Sequence, residues 1–243
     1  MLKHTFALKA LSSLLLICGS VASAESASEI ISKVEQNLSP PNFRSVYQFT
    51  NYRLDGTVGR YDVRFSVKDA NHSHGYFLKP EREKGREILR LKDTIWTYMP
   101  SVARAVRVAD RESFAGGDFS NADVMRVDWL AQYEASIAKE TANQFIIDLA
   151  ARTTNTAYSK MRIWIDKKTD QPVQQYFYDS KGTLLKILKY GSVKTFGRIT
   201  RPTKLVMENV ITKLRSEMLV VDIQLENKIP DGRFAVDNLG KEL

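Results

Sequence analysis

The stretch that decides the fold runs from Gly85 to Asp123, GREILRLKDTIWTYMPSVARAVRVADRESFAGGDFSNAD. Its first half holds two runs, Glu87-Ile88-Leu89-Arg90-Leu91-Lys92 and Thr94-Ile95-Trp96-Thr97-Tyr98, that alternate with the period of a β-strand. Leu89 and Leu91 oppose Arg90 and Lys92, and Trp96 shares a face with Tyr98. Pro100 has no amide hydrogen and marks a strand end or an edge, so the segment after it, with Arg104 and Arg107, is expected to be a loop or a bent edge. Further on, Gly116-Gly117 lacks the lysine and hydroxyl residue of a phosphate loop, which leaves nucleotide binding unsupported. Ser120, with Asp123 three places on, can cap a helix from Asn121 to about Leu130.

Upstream, Ser26-Ala27-Ser28-Glu29 has the spacing of a capping box, and Ile30, Ile31, Val34 and Leu38 then fall on one helical face before Pro40-Pro41. From Arg44 the period changes to two. Val46 to Tyr52 and Tyr61 to Lys68 flank the hairpin dipeptide Asp55-Gly56, and in the second run Tyr61, Val63, Phe65 and Val67 face one way. Downstream of Trp129 the chain reads as strands Glu134–Lys139, Gln144–Arg152, Ser159–Asp166, Val173–Tyr178, Leu184–Tyr190, Ile199–Val210 with a break at Pro202, and Glu217–Glu226. Phe145, Ile147 and Leu149 share a face, as do Met161, Ile163 and Ile165, and Leu219, Val221, Ile223 and Leu225. Short turns between these strands make neighbours antiparallel, and the tail Ile229-Pro230-Asp231-Gly232-Arg233-Phe234 reads as a turn and a hydrophobic tether. About ten strands with one dry face give a long sheet, which tends to curl. Periodicity alone would serve equally for a two-sheet sandwich with a filled core.

Ile95-Trp96-Thr97-Tyr98-Met99-Pro100, then Arg104 and Arg107, then Gly116-Gly117-Asp118-Phe119-Ser120 with Asp123 behind it, resembles the signature of the LolA-like family of outer membrane lipoprotein-sorting proteins. The resemblance implies a mainly β (α+β) fold: a single curved antiparallel sheet forming an open half-barrel, covered by a few short helices. It also implies an apolar hollow that takes up acyl chains.

The first 24 residues have the layout of a signal peptide: Lys3, His4 and Lys9, an apolar core from Ala10 to Cys18, and an A-x-A site at Ala22-Ser23-Ala24. Residues 25–243 are then a single exported, periplasmic domain. Ile17 before Cys18 argues against lipid modification of that cysteine, and its loss leaves a mature chain without disulfides. The formal net charge of +8 falls to +6 without Lys3 and Lys9. A basic surface can meet lipid head groups, an acidic partner or nothing beyond water, and export disfavours nucleic acid. Beyond the leader, the longest stretch free of Asp, Glu, Lys and Arg is Thr94 to Ala103, about half of a membrane span.

The expected function is a carrier that shields acyl chains of a lipoprotein or other amphipathic lipid between inner and outer membrane. Its partners would be an inner-membrane transporter or exporter and an outer-membrane acceptor. The alternative is a lipid-sensing regulator of the same fold acting through a membrane partner. Candidates to line the hollow are Phe65, Leu89, Leu91, Trp96, Tyr98, Ile147, Leu149, Ile163 and Val221, with Arg104 and Arg107 as head-group or partner contacts. No cofactor is implied. His72 and His74 could share a metal only with a third ligand that the sequence does not identify. Asp118, Asp123 and Asp128 have no accompanying nucleophile or base, and no serine stands in a nucleophile elbow, so an enzyme is not expected.

Overall fold

Ser26 and Glu29 form the capping box that their spacing predicts. In the computed structural model, which describes residues 25–241, the Glu29 amide donates to Ser26 Oγ at 3.3 Å and the Ser26 amide to Glu29 Oε2 at 2.8 Å. They start α1 (Ala27–Leu38), whose Ile30, Ile31 and Val34 are wholly buried. The expected signal peptide, its cleavage site and Cys18 lie outside the described residues. Among those described, no helix is long and apolar enough to cross a membrane.

The alternation from Phe43 onward produces one sheet. Its strands are β1 (Phe43–Tyr52), β2 (Val58–Asp69), β3 (His72–Lys79), β4 (Glu87–Leu91), β5 (Thr94–Met99), β6 (Arg104–Val108), β7 (Tyr133–Glu140), β8 (Gln144–Ala151), β9 (Lys160–Asp166), β10 (Gln171–Tyr178), β11 (Leu184–Phe196), β12 (Ile199–Asn209) and β13 (Arg215–Leu225). The order is β6-β5-β4-β3-β2-β1-β13-β12-β11-β10-β9-β8-β7, antiparallel at every step. Consecutive strands pair as hairpins or meanders, and β1 joins the two halves by pairing with β13. The sheet is not closed into a barrel; β6 and β7 are free edges. It is strongly curved. Arg90 on β4 and Gln175 on β10 line the same cavity although seven strand steps separate them, which in a flat sheet would be about 34 Å.

Three sequence expectations are corrected. The strands number thirteen among the described residues rather than about ten. The segment after Pro100, expected as a loop or a bent edge, is a short 3-10 turn followed by the edge strand β6. Pro202 does not break β12, because the pairing with β13 covers only Lys204–Glu208 and leaves the proline side unpaired there. The helix expected from Asn121 to about Leu130 is two short helices, α2 (Asn121–Met125) and α3 (Trp129–Gln132), parted by an extended stretch that begins at Arg126.

Both faces of the sheet are covered in part. The concave face carries the main core, under α1, α2 and α3. On the convex face the tail packs Ile229, Phe234 and Leu239 over Leu89, with Leu91, Trp96 and Tyr98 around them. The tail is tied down at Gly240, whose amide donates to Glu87 Oε1 at 2.8 Å.

Candidate functional site

The concave face holds an apolar cavity of about 60 Å³. Its floor comes from both arms of the curve, with Phe43, Tyr47 and Phe65 on one side and Phe177, Leu188 and Leu205 on the other. Its roof is the end of α1 and the segment 123–129. Such a volume matches about two water molecules in the liquid. The closed molecule is thus packed nearly to contact under its roof.

What holds the roof is polar. Arg90 is 2% exposed and is placed by β4 on the concave face. It donates to Asp128 Oδ2 at 2.6 Å, to the Met125 carbonyl at 3.4 Å and to the Lys92 carbonyl at 2.8 Å. Burial pushes its pKa down, against the pull of Asp128. Ser73 Oγ also donates to the Met125 carbonyl, at 3.3 Å. On the other side, Glu35 of α1 accepts from the Leu130 amide at 2.9 Å, joining α1 to α3. Burial raises its carboxyl to about 7, with Asp128 adding to the rise and the hydrogen bonds opposing it. Arg201 of β12, 3% exposed, donates to the Leu38 carbonyl and so fixes the C-terminus of α1.

The segment Phe114 to Ser120 fills one end of the hollow. Phe114 lies 4.8 Å from Phe49 and 5.6 Å from Phe77 between ring centres, and Phe119 lies 6.2 Å from Phe49. Polar contacts set this plug. Asn51 Nδ2 donates to the Ala115 carbonyl at 3.0 Å, the Asp118 amide to Ser216 Oγ at 2.9 Å, and Lys186 Nζ to the Asp118 carbonyl at 2.5 Å. A Cβ on Gly117 would stand 2.2 Å from Asn51 Oδ1, so close approach demands that glycine. Ser120 and Asp123 then cap α2, and Asp123 Oδ2 accepts the Tyr158 hydroxyl at 2.8 Å.

Curved open sheets of this form recur among solved structures. A LolA superfamily protein from Nitrosomonas europaea aligns with a TM-score of 0.81 at 23% identity, covering 89% of this chain and all of that one. A DUF1329 family protein from Desulfovibrio piger gives 0.80 at 19% identity, over 88% of this chain and 97% of that one. An outer membrane lipoprotein-sorting protein domain from Vibrio parahaemolyticus gives 0.76 at 18% identity, over 87% and 97%. At these identities the likeness is one of fold. No curated protein matches the sequence. A family model described as "Uncharacterized protein" matches residues 69–241. The chain belongs to that family, and its fold is LolA-like.

Within this LolA-like sheet the residues expected to line the hollow divide by face. Phe65 borders the cavity, and Ile147, Leu149 and Ile163 lie in the same concave core on β8 and β9. Five others do not reach it. Leu89, Leu91, Trp96 and Tyr98 point to the convex face, under the tail. Val221 is 45% exposed: β13 has a bulge where Val46 pairs with Asp222 and Tyr47 with Val220, and Val221 is the extra residue between them. Arg104 and Arg107 are exposed on the edge strand β6, with the Arg107 guanidinium 4.8 Å above the Trp96 ring. His72 and His74 share the convex face, bound to Asp69 at 2.8 Å and to Glu87 at 2.5 Å. Arg90, Glu35 and Arg201 were not singled out by sequence reasoning. A charged residue in a strand or helix reads as solvent-facing until its distant partner is known.

Proposed function

We propose that this protein is a periplasmic carrier that takes the acyl chains of a lipoprotein or other amphipathic lipid into the concave face of its half-barrel. It would move that cargo between inner and outer membrane, receiving it from an inner-membrane transporter or exporter and passing it to an outer-membrane acceptor. The observation that carries this reading is the combination of an apolar cavity with a roof tied by a few buried polar contacts. Displacing segment 121–132 opens the floor formed by Phe43, Tyr47, Phe65, Phe177, Leu188 and Leu205. Each methylene placed there contributes ~0.8 kcal/mol, which offsets the breaking of the roof's hydrogen bonds. The neighbour from Vibrio parahaemolyticus, described as an outer membrane lipoprotein-sorting protein domain, supports the same role. The charged groups that line the cavity are already engaged, Arg90 with Asp128, Arg201 with the Leu38 carbonyl, Asp123 with the Tyr158 hydroxyl and Asp69 with His72, which favours a binding role over catalysis.

The test is native mass spectrometry of the protein purified from its periplasm, followed by solvent extraction. A bound lipid of defined mass is expected. Empty protein that also fails to take up a fluorescent fatty acid would refute the carrier.

A further inference from the structure

The roof has two sides. Met125 and Val127 border the apolar cavity, whereas Arg126 between them borders a second hollow of about 630 Å³. Arg126 has extended backbone, φ −126° and ψ 115°, which sends successive side chains to opposite sides. The second hollow sits where the sheet fails to close. One wall is β6 with Ala109, Asp110 and Arg111; the other is Ala131 and Gln132 ahead of β7 and the turn 152–156 after β8.

Its lining is polar and unequally charged. Four arginines border it, Arg107, Arg111, Arg126 and Arg152, against two aspartates, Asp93 and Asp110. Both aspartates face Arg126: Asp110 Oδ2 lies 2.9 Å from its Nε and Asp93 Oδ1 lies 3.5 Å from Nη1. Even so, the buried Arg126 Nε has no aligned hydrogen-bond acceptor among the described residues. The Arg107 guanidinium rests on Trp96. Among the described residues, Arg111 and Arg152 form no ion pair, and both are exposed at the rim.

We propose that the cargo is an amphiphile with an anionic head group, phosphate or carboxylate, and that this arginine-rimmed hollow receives that head while the acyl chain lies beneath segment 123–129. The inference rests on the carrier reading and sharpens it. The acylated end of a lipoprotein brings ester and amide groups and no anion, so a cationic rim is of little use to it. A phospholipid or fatty acid presents its charge one end away from its chain, and the two hollows on either side of one strip of backbone have that same order. Guanidinium groups fit phosphate and carboxylate oxygens in paired hydrogen bonds.

Three ligands with one oleoyl chain separate the possibilities: oleoyl lysophosphatidic acid, oleate and monoolein, titrated onto the mature protein by native mass spectrometry. Each solvent-facing contact between an arginine and an anion contributes a factor of a few. Wild type should therefore bind the two anions about tenfold more tightly than monoolein. In the Arg111→Gln/Arg152→Gln double variant that preference should drop to about twofold, with monoolein affinity unchanged. In wild type it should shrink in about 0.5 M salt, through screening. Equal affinity for all three ligands in wild type, or an unchanged preference in the folded double variant, overturns the head-group assignment and leaves the carrier standing. Binding of none of them refutes the carrier, and this inference with it.

Discussion

Replacing Arg90 by leucine tests the reading of the roof. The side chain it removes is 2% exposed and its partner Asp128 is 11% exposed. Deleting one member of a buried pair costs about 3–5 kcal/mol, because the remaining charge loses its partner without regaining water. Asp128 is poorly served otherwise: its Oδ1 has no hydrogen-bond partner among the described residues. The Met125 carbonyl would keep only Ser73 Oγ. The cost should fall on segment 121–132 rather than on the sheet, since β4 is still paired on both sides and Leu89 still packs under the tail. At about 1.4 kcal/mol per factor of ten, opening of the segment should rise by roughly two to four decades. Hydrogen exchange read by mass spectrometry measures this directly, comparing peptides over 121–132 with peptides over β1. The Arg90→Leu/Asp128→Leu variant should recover most of the protection, because an apolar pair is close to neutral in such a site. If Arg90→Leu lowers protection of β1 as much as that of 121–132, or if the double variant is no better than the single, the pair is not a roof contact and the argument fails.

Two other perturbations probe the same geometry. Burial holds Glu35 at about 7 against an ordinary value of 4.5, so the closed state binds the extra proton. Its contribution is complete below about pH 4.5 and is lost as pH rises to about 7 and beyond. Binding of an acyl probe should thus change over that window in wild type and not in Glu35→Gln, which keeps an acceptor for the Leu130 amide; identical pH profiles would disprove the link. Gly117→Ala should destabilise by ~1–3 kcal/mol, read as a lowered Tm, since the new methyl must displace the buried Asn51. Gly191→Ala is the control, with nothing nearer than 4.0 Å, and should leave Tm nearly unchanged.

The sheet was legible because alternation is a property of neighbours in sequence. Phe43, Tyr47 and Phe49 fall inward as the pattern of β1 requires, and β8 and β9 follow their own patterns likewise. The choice of face in β4 was not legible. In Glu87–Leu91 four residues are buried and the fifth is half-buried, so both faces are covered and alternation carries no sign. Leu89 and Leu91 look like the dry face, yet the tail that covers them arrives about 140 residues later. Arg90 looks wet, yet its partner Asp128 comes 38 residues on. The phase of β13 was lost at one residue, because a bulge at Val221 moves the inward set from Met218 and Val220 to Ile223 without any local signal in side-chain type. The helix break at Arg126 has the same character: its extended backbone suits an arginine held against Asp110 and Asp93, neither of which is a helical neighbour.

Which part of the cover moves follows from how each part is held. On α1, Ala27, Ile30, Ile31, Val34 and Leu38 are buried, and each large apolar side chain so placed contributes ~1.5–3 kcal/mol. In α2 only Asn121 and Met125 are buried, and in α3 none are. The segment 121–132 buries Met125 fully and packs Val124, Val127, Trp129 and Leu130 against the core while leaving them half-buried, so it is held less by apolar burial than α1 and more by polar contacts, among them those of Arg90, Ser73 and Glu35 with its backbone and Asp128. Its upstream end is fixed, since the Phe114–Ser120 plug is packed on Phe49 and Phe77 and bonded to Asn51, Ser216 and Lys186. Its downstream end runs into the edge strand β7, where seven of eight residues are exposed or half-exposed. A flap held at 114–120 on one side and at Tyr133, which is buried and donates to the Tyr158 carbonyl, on the other would lift between these two ends, beside the gap between β6 and β7. That motion joins the apolar cavity to the arginine-rimmed hollow, so the chain that enters through the gap meets the anion site and the greasy floor in a single opening.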